Sequence, residues 1–164
     1  PMGVTVASSR VFEAFKGEWS EMKQLLHGHT FSGNPLACVA ASKNLDMIEE
    51  YKLAGIVKQR ARELSQMLRA HVAKHPRVGP IRQRGLAVGV PLKNAAGADD
   101  LGHEEDGGYE QRAEAEKVCQ ACLKKGVLLR PLGNVITIVP PLNIEVHHLE
   151  EIVAALEEGL KVLS

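Results

Sequence analysis

Apolar residues in this 164-residue chain recur with two periods, and the changes of period mark the elements. Gly3–Ala7 alternates and predicts a short strand. Ser8 and Ser9 offer caps for a helix to about Lys16, with Val11, Phe12 and Phe15 on one face. Glu18–Leu26 is a polar connector. A helix is expected from Pro35 to about Glu50. Its first turns (Leu36, Ala37, Val39, Ala40, Ala41) are small and apolar all round, which predicts burial. Lys52–Gly55 interrupts it, and Ile56, Val57, Leu64, Met67, Leu68 and Val72 then form the stripe of a long amphipathic helix, ended by Pro76.

The second half mixes both periods. Ile81–Leu92 predicts one strand, with Gly85 and Gly89 allowing another backbone to approach. Asn94–Gly108, rich in Gly, Asp and Glu, predicts a long mobile loop. Tyr109–Lys125 predicts a helix closed by a basic last turn and Gly126. Two short strands follow, Val127–Arg130 and Val135–Val139, joined by Pro131–Asn134. Val146, Leu149, Val153, Leu156, Leu160 and Leu163 mark a final amphipathic helix. The fold class is therefore α/β, a small sheet layered with helices and preceded by a strand–helix segment. No internal repeat is present.

Composition narrows the function. Twenty basic and twenty acidic residues cancel, so no global field recruits nucleic acid. The first ninety residues carry 13 Lys and Arg against 7 Asp and Glu, and the remainder 7 against 13. The basic excess concentrates between Lys58 and Arg84, where aromatic residues to stack bases are lacking, so a solvated helix face is expected. No apolar run approaches the roughly 18–20 residues of a membrane span. Cys119 and Cys122 form a C-x-x-C, but mid-helix and without a second pair, so neither a zinc nor a redox site is expected. Three cysteines without a pairing framework suit a reducing cytoplasm. His27 and His29 lack a third ligand, and no metal site is expected.

Two segments carry candidate chemistry. In His27–Cys38 a glycine-rich loop becomes a helix at Pro35, with Ser32 or Asn34 as the N-cap. Thr30 and Ser32 thus stand near a helix N-terminus, which favours an anion such as phosphate. The same pattern also serves as a plain cap. Arg130 is expected at the exit of an apolar strand, where a guanidinium can offer a bidentate fork to a carboxylate. A structural ion pair with a glutamate of residues 104–116 is the alternative.

The wording of these segments goes further. His27-Gly28-His29-Thr30-Phe31-Ser32-Gly33-Asn34-Pro35-Leu36-Ala37-Cys38 closely resembles the H-G-x-T-[FY]-x-G-N-P-L-A-C segment of class III aminotransferases. Gly126–Ile136, followed by Pro140-Pro141-Leu142, resembles that family's substrate-carboxylate segment. Pro1–Val6 resembles the strand just beyond its Schiff-base lysine. The resemblance implies fold type I, with residues 1–40 a remnant of the large domain and 41–164 the small C-terminal domain. It implies pyridoxal 5'-phosphate as cofactor of the complete enzyme, a cytoplasmic homodimer, and an amino donor and oxo-acid acceptor as substrates. Thr30 would grip the cofactor phosphate of the neighbouring subunit, with His29 and Ser32 beside it, and Arg130 would hold a carboxylate.

None of the eleven lysines stands in the setting of the Schiff-base lysine. That residue is expected outside the chain, which would then hold no catalytic residue and be inactive alone. Within the family, the diaminopelargonate synthases of biotin synthesis, which aminate 8-amino-7-oxononanoate, are the subgroup it resembles first. The ω-amino-acid:pyruvate aminotransferases come second. Asn134 departs from the aspartate common at its position, and Ile138–Ile144 suits either subgroup. A non-catalytic dimerisation or regulatory domain is the alternative of another class.

Overall fold

The computed structural model describes residues 2–93 and 108–163. The expected loop at Asn94–Gly108 lies outside the described residues, save Gly108. The chain divides into two compact units, Pro1–Tyr51 and Lys52–Ser164.

The first unit is helix and loop. Helix α1 spans Ser9–Glu13, shorter than expected, and a single 3-10 turn at Trp19–Glu21 is closed by a capping box between Glu18 and Glu21. Helix α2 runs Pro35–Glu50, with the expected bounds. The expected strand at Gly3–Ala7 does not form, since a strand needs a hydrogen-bonded neighbour and the described residues give it none. The expected burial of α2 is also overturned: Leu36 is 81% and Val39 70% exposed. An apolar helix is buried only when something packs on it, and among the described residues of this unit α2 is covered only in part, at Ala37, Cys38, Ala41 and Ile48.

The second unit holds the core. Lys52 adopts a left-handed backbone (φ 50°) that breaks the chain after α2. The break is thus narrower than expected, for helix α3 begins at Leu53 and runs to Met67, then widens into a π turn at Leu68–Val72. The segment expected as one strand, Ile81–Leu92, is a hairpin of β1 (Arg82–Arg84) and β2 (Ala87–Pro91). Arg84 pairs with Ala87 across the two-residue turn Gly85-Leu86, and Gly85 takes φ +59°. Glycine first in a two-residue turn matches the twist of the strands it joins, so Gly85 makes a turn and not a close approach. At Gly89 the close neighbour is a side chain and not the expected backbone, for a Cβ there would meet Val135 Cγ1 at 3.2 Å.

Helix α4 (Gly108–Lys124) leads to a second hairpin, β3 (Arg130–Leu132) and β4 (Val135–Ile138). The expected strand Val127–Arg130 has therefore slid to begin at Arg130. Leu132 pairs with Val135 across Gly133-Asn134, and Gly133 takes φ +60°. The tight turn sets the register, and Val127–Leu129 is left as the approach to it. The buried Asn134 donates from Nδ2 to the Leu92 carbonyl (3.0 Å), tying this turn to the end of β2. The sheet has order β1-β2-β4-β3, antiparallel throughout.

Helix α5 (Val146–Leu160) completes the layer. Ile136 and Ile138 of β4 and Val88 and Val90 of β2 point to the helices and are buried. They meet Leu64 and Leu68 of the α3 arm, Val118 and Cys122 of α4, and Leu149, Val153, Leu156 and Leu160 of α5. Each fully buried leucine or isoleucine contributes about 1.5–3 kcal/mol. Val135 and Thr137 alternate onto the opposite, open face of the sheet.

Candidate active-site segments

The phosphate-like loop is two consecutive turns. Ser32 N–H donates to the His29 carbonyl (2.9 Å) and Asn34 N–H to the Phe31 carbonyl (3.2 Å), with Gly33 at φ +70° making the second turn possible. His29 braces the first turn: its Nδ1 accepts from Phe31 N–H at 3.3 Å. Of the two candidate caps, Asn34 is the one used. Its Oδ1 accepts from Leu36 N–H (3.0 Å) and Ala37 N–H (3.2 Å), and Pro35 occupies the first helical position.

Two free N–H groups of the helix are thereby taken, so an anion here would be held by the turn. Thr30 is exposed at the first central position of the His29–Ser32 turn. Among the described residues, neither its hydroxyl nor its N–H has a hydrogen-bond partner. His29, Ser32, Gly33 and Asn34 line a concavity of about 690 Å³ beside the start of α2, while Thr30 stands outside that lining. No carboxylate occurs between His27 and Cys38. Hydroxyl and N–H donors without an acid are a set that fits a phosphate group.

Arg130 opens the edge strand β3 on the open face of the sheet. It pairs with Thr137, Thr137 pairs with Gly89, and Gly89 pairs with Arg82, so one row crosses all four strands. Thr137, which the sequence reading passed over, donates from Oγ1 to the Arg130 carbonyl at 2.7 Å. Only the strand register could have revealed that pair. The expected alternative for Arg130 was an ion pair with a glutamate. Among the described residues Arg130 has none, and Glu114 is bound instead by Arg77 at 2.6 Å. The guanidinium borders a groove of about 590 Å³ walled by Val127, Leu129, Ile138 and Pro140, with His148 on its rim. An exposed, unpaired arginine beside an apolar wall can take a carboxylate by two parallel hydrogen bonds.

The remaining candidates are structural. Burial and the nearby Glu116 push the Cys119 thiol up to about 11, and burial does the same to Cys122, up to about 11. Cys122 Sγ–H points at the Ala155 carbonyl (3.3 Å). Thiols so poorly ionised are weak nucleophiles at neutral pH. Among the described residues no cluster of three metal-ligating side chains occurs, and no helix is long and apolar enough to cross a membrane.

The family description of class III aminotransferases matches residues 1–160. The chain belongs to the class III aminotransferase family. It is 37% identical over its full length to the adenosylmethionine-8-amino-7-oxononanoate aminotransferase of Geobacter sulfurreducens, covering 35% of that protein. It is 34% identical to the enzyme of that name from Aquifex aeolicus, over 99% of this chain and 34% of that one. The crystal structure of the Methanocaldococcus jannaschii enzyme of the same name superposes with a TM-score of 0.79 at 32% identity, over 94% of this chain and 34% of that one. An amine transaminase of an uncultivated Pseudomonas species, solved with pyridoxal phosphate bound, gives a TM-score of 0.78 at 28% identity, over 95% and 34%. This chain thus spans about a third of the length of these relatives. The family is pyridoxal-phosphate-dependent and of fold type I, and the small antiparallel sheet with its helix layer belongs to that fold.

Proposed function

We propose that these 164 residues are the C-terminal part of a pyridoxal-phosphate-dependent aminotransferase that transfers an amino group to 8-amino-7-oxononanoate in biotin synthesis. The match of residues 1–160 to the family, with relatives of that name at 34–37% identity, carries this reading. In it, residues 1–40 belong to the large domain and 41–164 to the small one. The complete enzyme is a cytoplasmic homodimer.

When bound, pyridoxal phosphate supplies the electron sink that makes exchange of the amino group possible. The residues of this chain bind and orient. Thr30 donates its hydroxyl and N–H to the cofactor phosphate of the partner subunit, and the tight turns hold these donors in place. Ser32 and His29 line the neighbouring concavity, His29 through its brace on Phe31. Arg130 presents its fork to the substrate carboxylate and so fixes which end of the substrate faces the reacting centre. No lysine here has the setting of the cofactor-linking lysine, so the chain alone is inactive.

A donor screen on the complete protein tests this. Adenosylmethionine should discharge the absorption band of the cofactor-loaded protein, and 8-amino-7-oxononanoate should restore it. Discharge by ω-amino acids with restoration only by pyruvate would contradict the assigned acceptor.

A further inference from the structure

The basic stretch between Lys58 and Arg84 plays no part in this chemistry. It holds eight Lys and Arg against a single acid, Glu63. Folding takes two of the cations out of use: Arg60 pairs with Glu63 at 2.9 Å, and Arg77 binds Glu114 at 2.6 Å as well as the Lys93 carbonyl. Of the six that remain, Arg62 and Arg69 border one groove. They lie seven residues apart, so two helical turns return them to one face, with Ser65 between.

That face looks onto a groove of about 810 Å³ between the α3 arm and the segment from Val78 to Gly85. Lys93 contributes a third cation. The floor includes Ala61, Ala73 and Gly79, small enough to let a ligand reach the polar wall. Among the described residues no carboxylate and no aromatic ring lines it, and Arg62, Arg69 and Lys93 form no ion pair. The π turn at Leu68–Val72 carries Arg69 on its first turn, and such widened turns recur at functional sites.

We propose that this groove binds a small polyanion of linked phosphate groups. Three cations lining one groove, with no counter-charge among the described residues, call for a ligand of several negative charges. Arginine forks match phosphate oxygens in pairs. The volume exceeds what a single phosphate fills, and without a ring to stack on, a nucleobase would gain nothing there.

The test is calorimetric titration of the complete, cofactor-saturated protein with inorganic tripolyphosphate at low salt, so that the loop around Thr30 is already filled. One saturable site is expected, weakening with added salt. The double variant Arg62→Gln, Arg69→Gln should lose about tenfold or more in affinity. Arg62→Lys, Arg69→Lys keeps the charge but loses the paired hydrogen bonds, so its loss should be clear yet smaller than that of the glutamine pair. Both pairs are exposed, so an unchanged melting temperature is expected and confirms that the fold is intact. Failure of the wild type to bind, indifference to the glutamine changes, or equal affinity for citrate would overturn the assignment.

Discussion

At the scale of single residues, charge and exposure separate binding groups from structural ones. Arg77 and Arg130 are both arginines beside the sheet, yet Arg77 is spent on Glu114 and a backbone carbonyl while Arg130 is unpaired among the described residues. Arg130→Lys in the complete enzyme keeps the charge and loses the fork. We expect kcat/KM for the carboxylate-bearing substrate to fall roughly 10²-fold, the worth of about 2–3 kcal/mol in a charge-assisted contact. Melting temperature and cofactor absorbance should stay near wild type. A collapse of stability with an unchanged KM in the surviving fraction would mean that Arg130 is structural. The cysteines divide in the same way. Cys119 and Cys122 are buried with thiols pushed up to about 11, whereas Cys38 is partly exposed. Within this chain, a thiol reagent at neutral pH should label Cys38 first and the other two only on unfolding, as read by peptide mass mapping.

At the scale of elements, legibility followed locality. Helix α2 was readable to its ends because its start signal lies within four residues: Asn34 accepts two N–H bonds and Pro35 sits behind it. Helix α5 was readable because its stripe repeats every three or four residues. The hairpins were readable only in part: Gly85 read as a point of close approach within one strand, the second pair of strands was expected with a four-residue joint at Pro131–Asn134, and only pairing shows that each hairpin closes over two residues. The strand at Gly3–Ala7 failed for the same reason, its signal being local and its partner not. Packing between helices adds a constraint the sequence hides. At Gly159 of α5 a Cβ would sit 2.8 Å from Cys122 Sγ and 3.1 Å from the Val118 carbonyl of α4. Gly159→Ala should therefore destabilise the protein by about 1–3 kcal/mol despite the better helix propensity of alanine. Adding Cys122→Ala should recover part of that loss in thermal melts.

At the scale of the whole molecule, the candidate site was legible only through the wording of two segments. Glycines, hydroxyls and a capped helix are consistent with a phosphate loop or a plain cap, and the fold alone does not choose. What the structure adds is that Asn34 does the capping and leaves Thr30 unengaged. The exposed apolar residues of the first unit, among them Phe12, Trp19, Phe31 and Leu36, suit a segment that packs against further protein. The central claim is that Thr30 completes the cofactor site of another subunit. It is tested most directly by mixing two impaired variants of the complete protein, Thr30→Ala, which should retain cofactor less tightly by about 1–3 kcal/mol, and one lacking the cofactor-linking lysine, under conditions that exchange subunits. If Thr30 acts across the dimer, each hybrid holds one fully wild-type site, and both tight cofactor retention and amino transfer should reappear. If Thr30 serves its own subunit, every site in the mixture carries a defect, and no recovery would contradict the account.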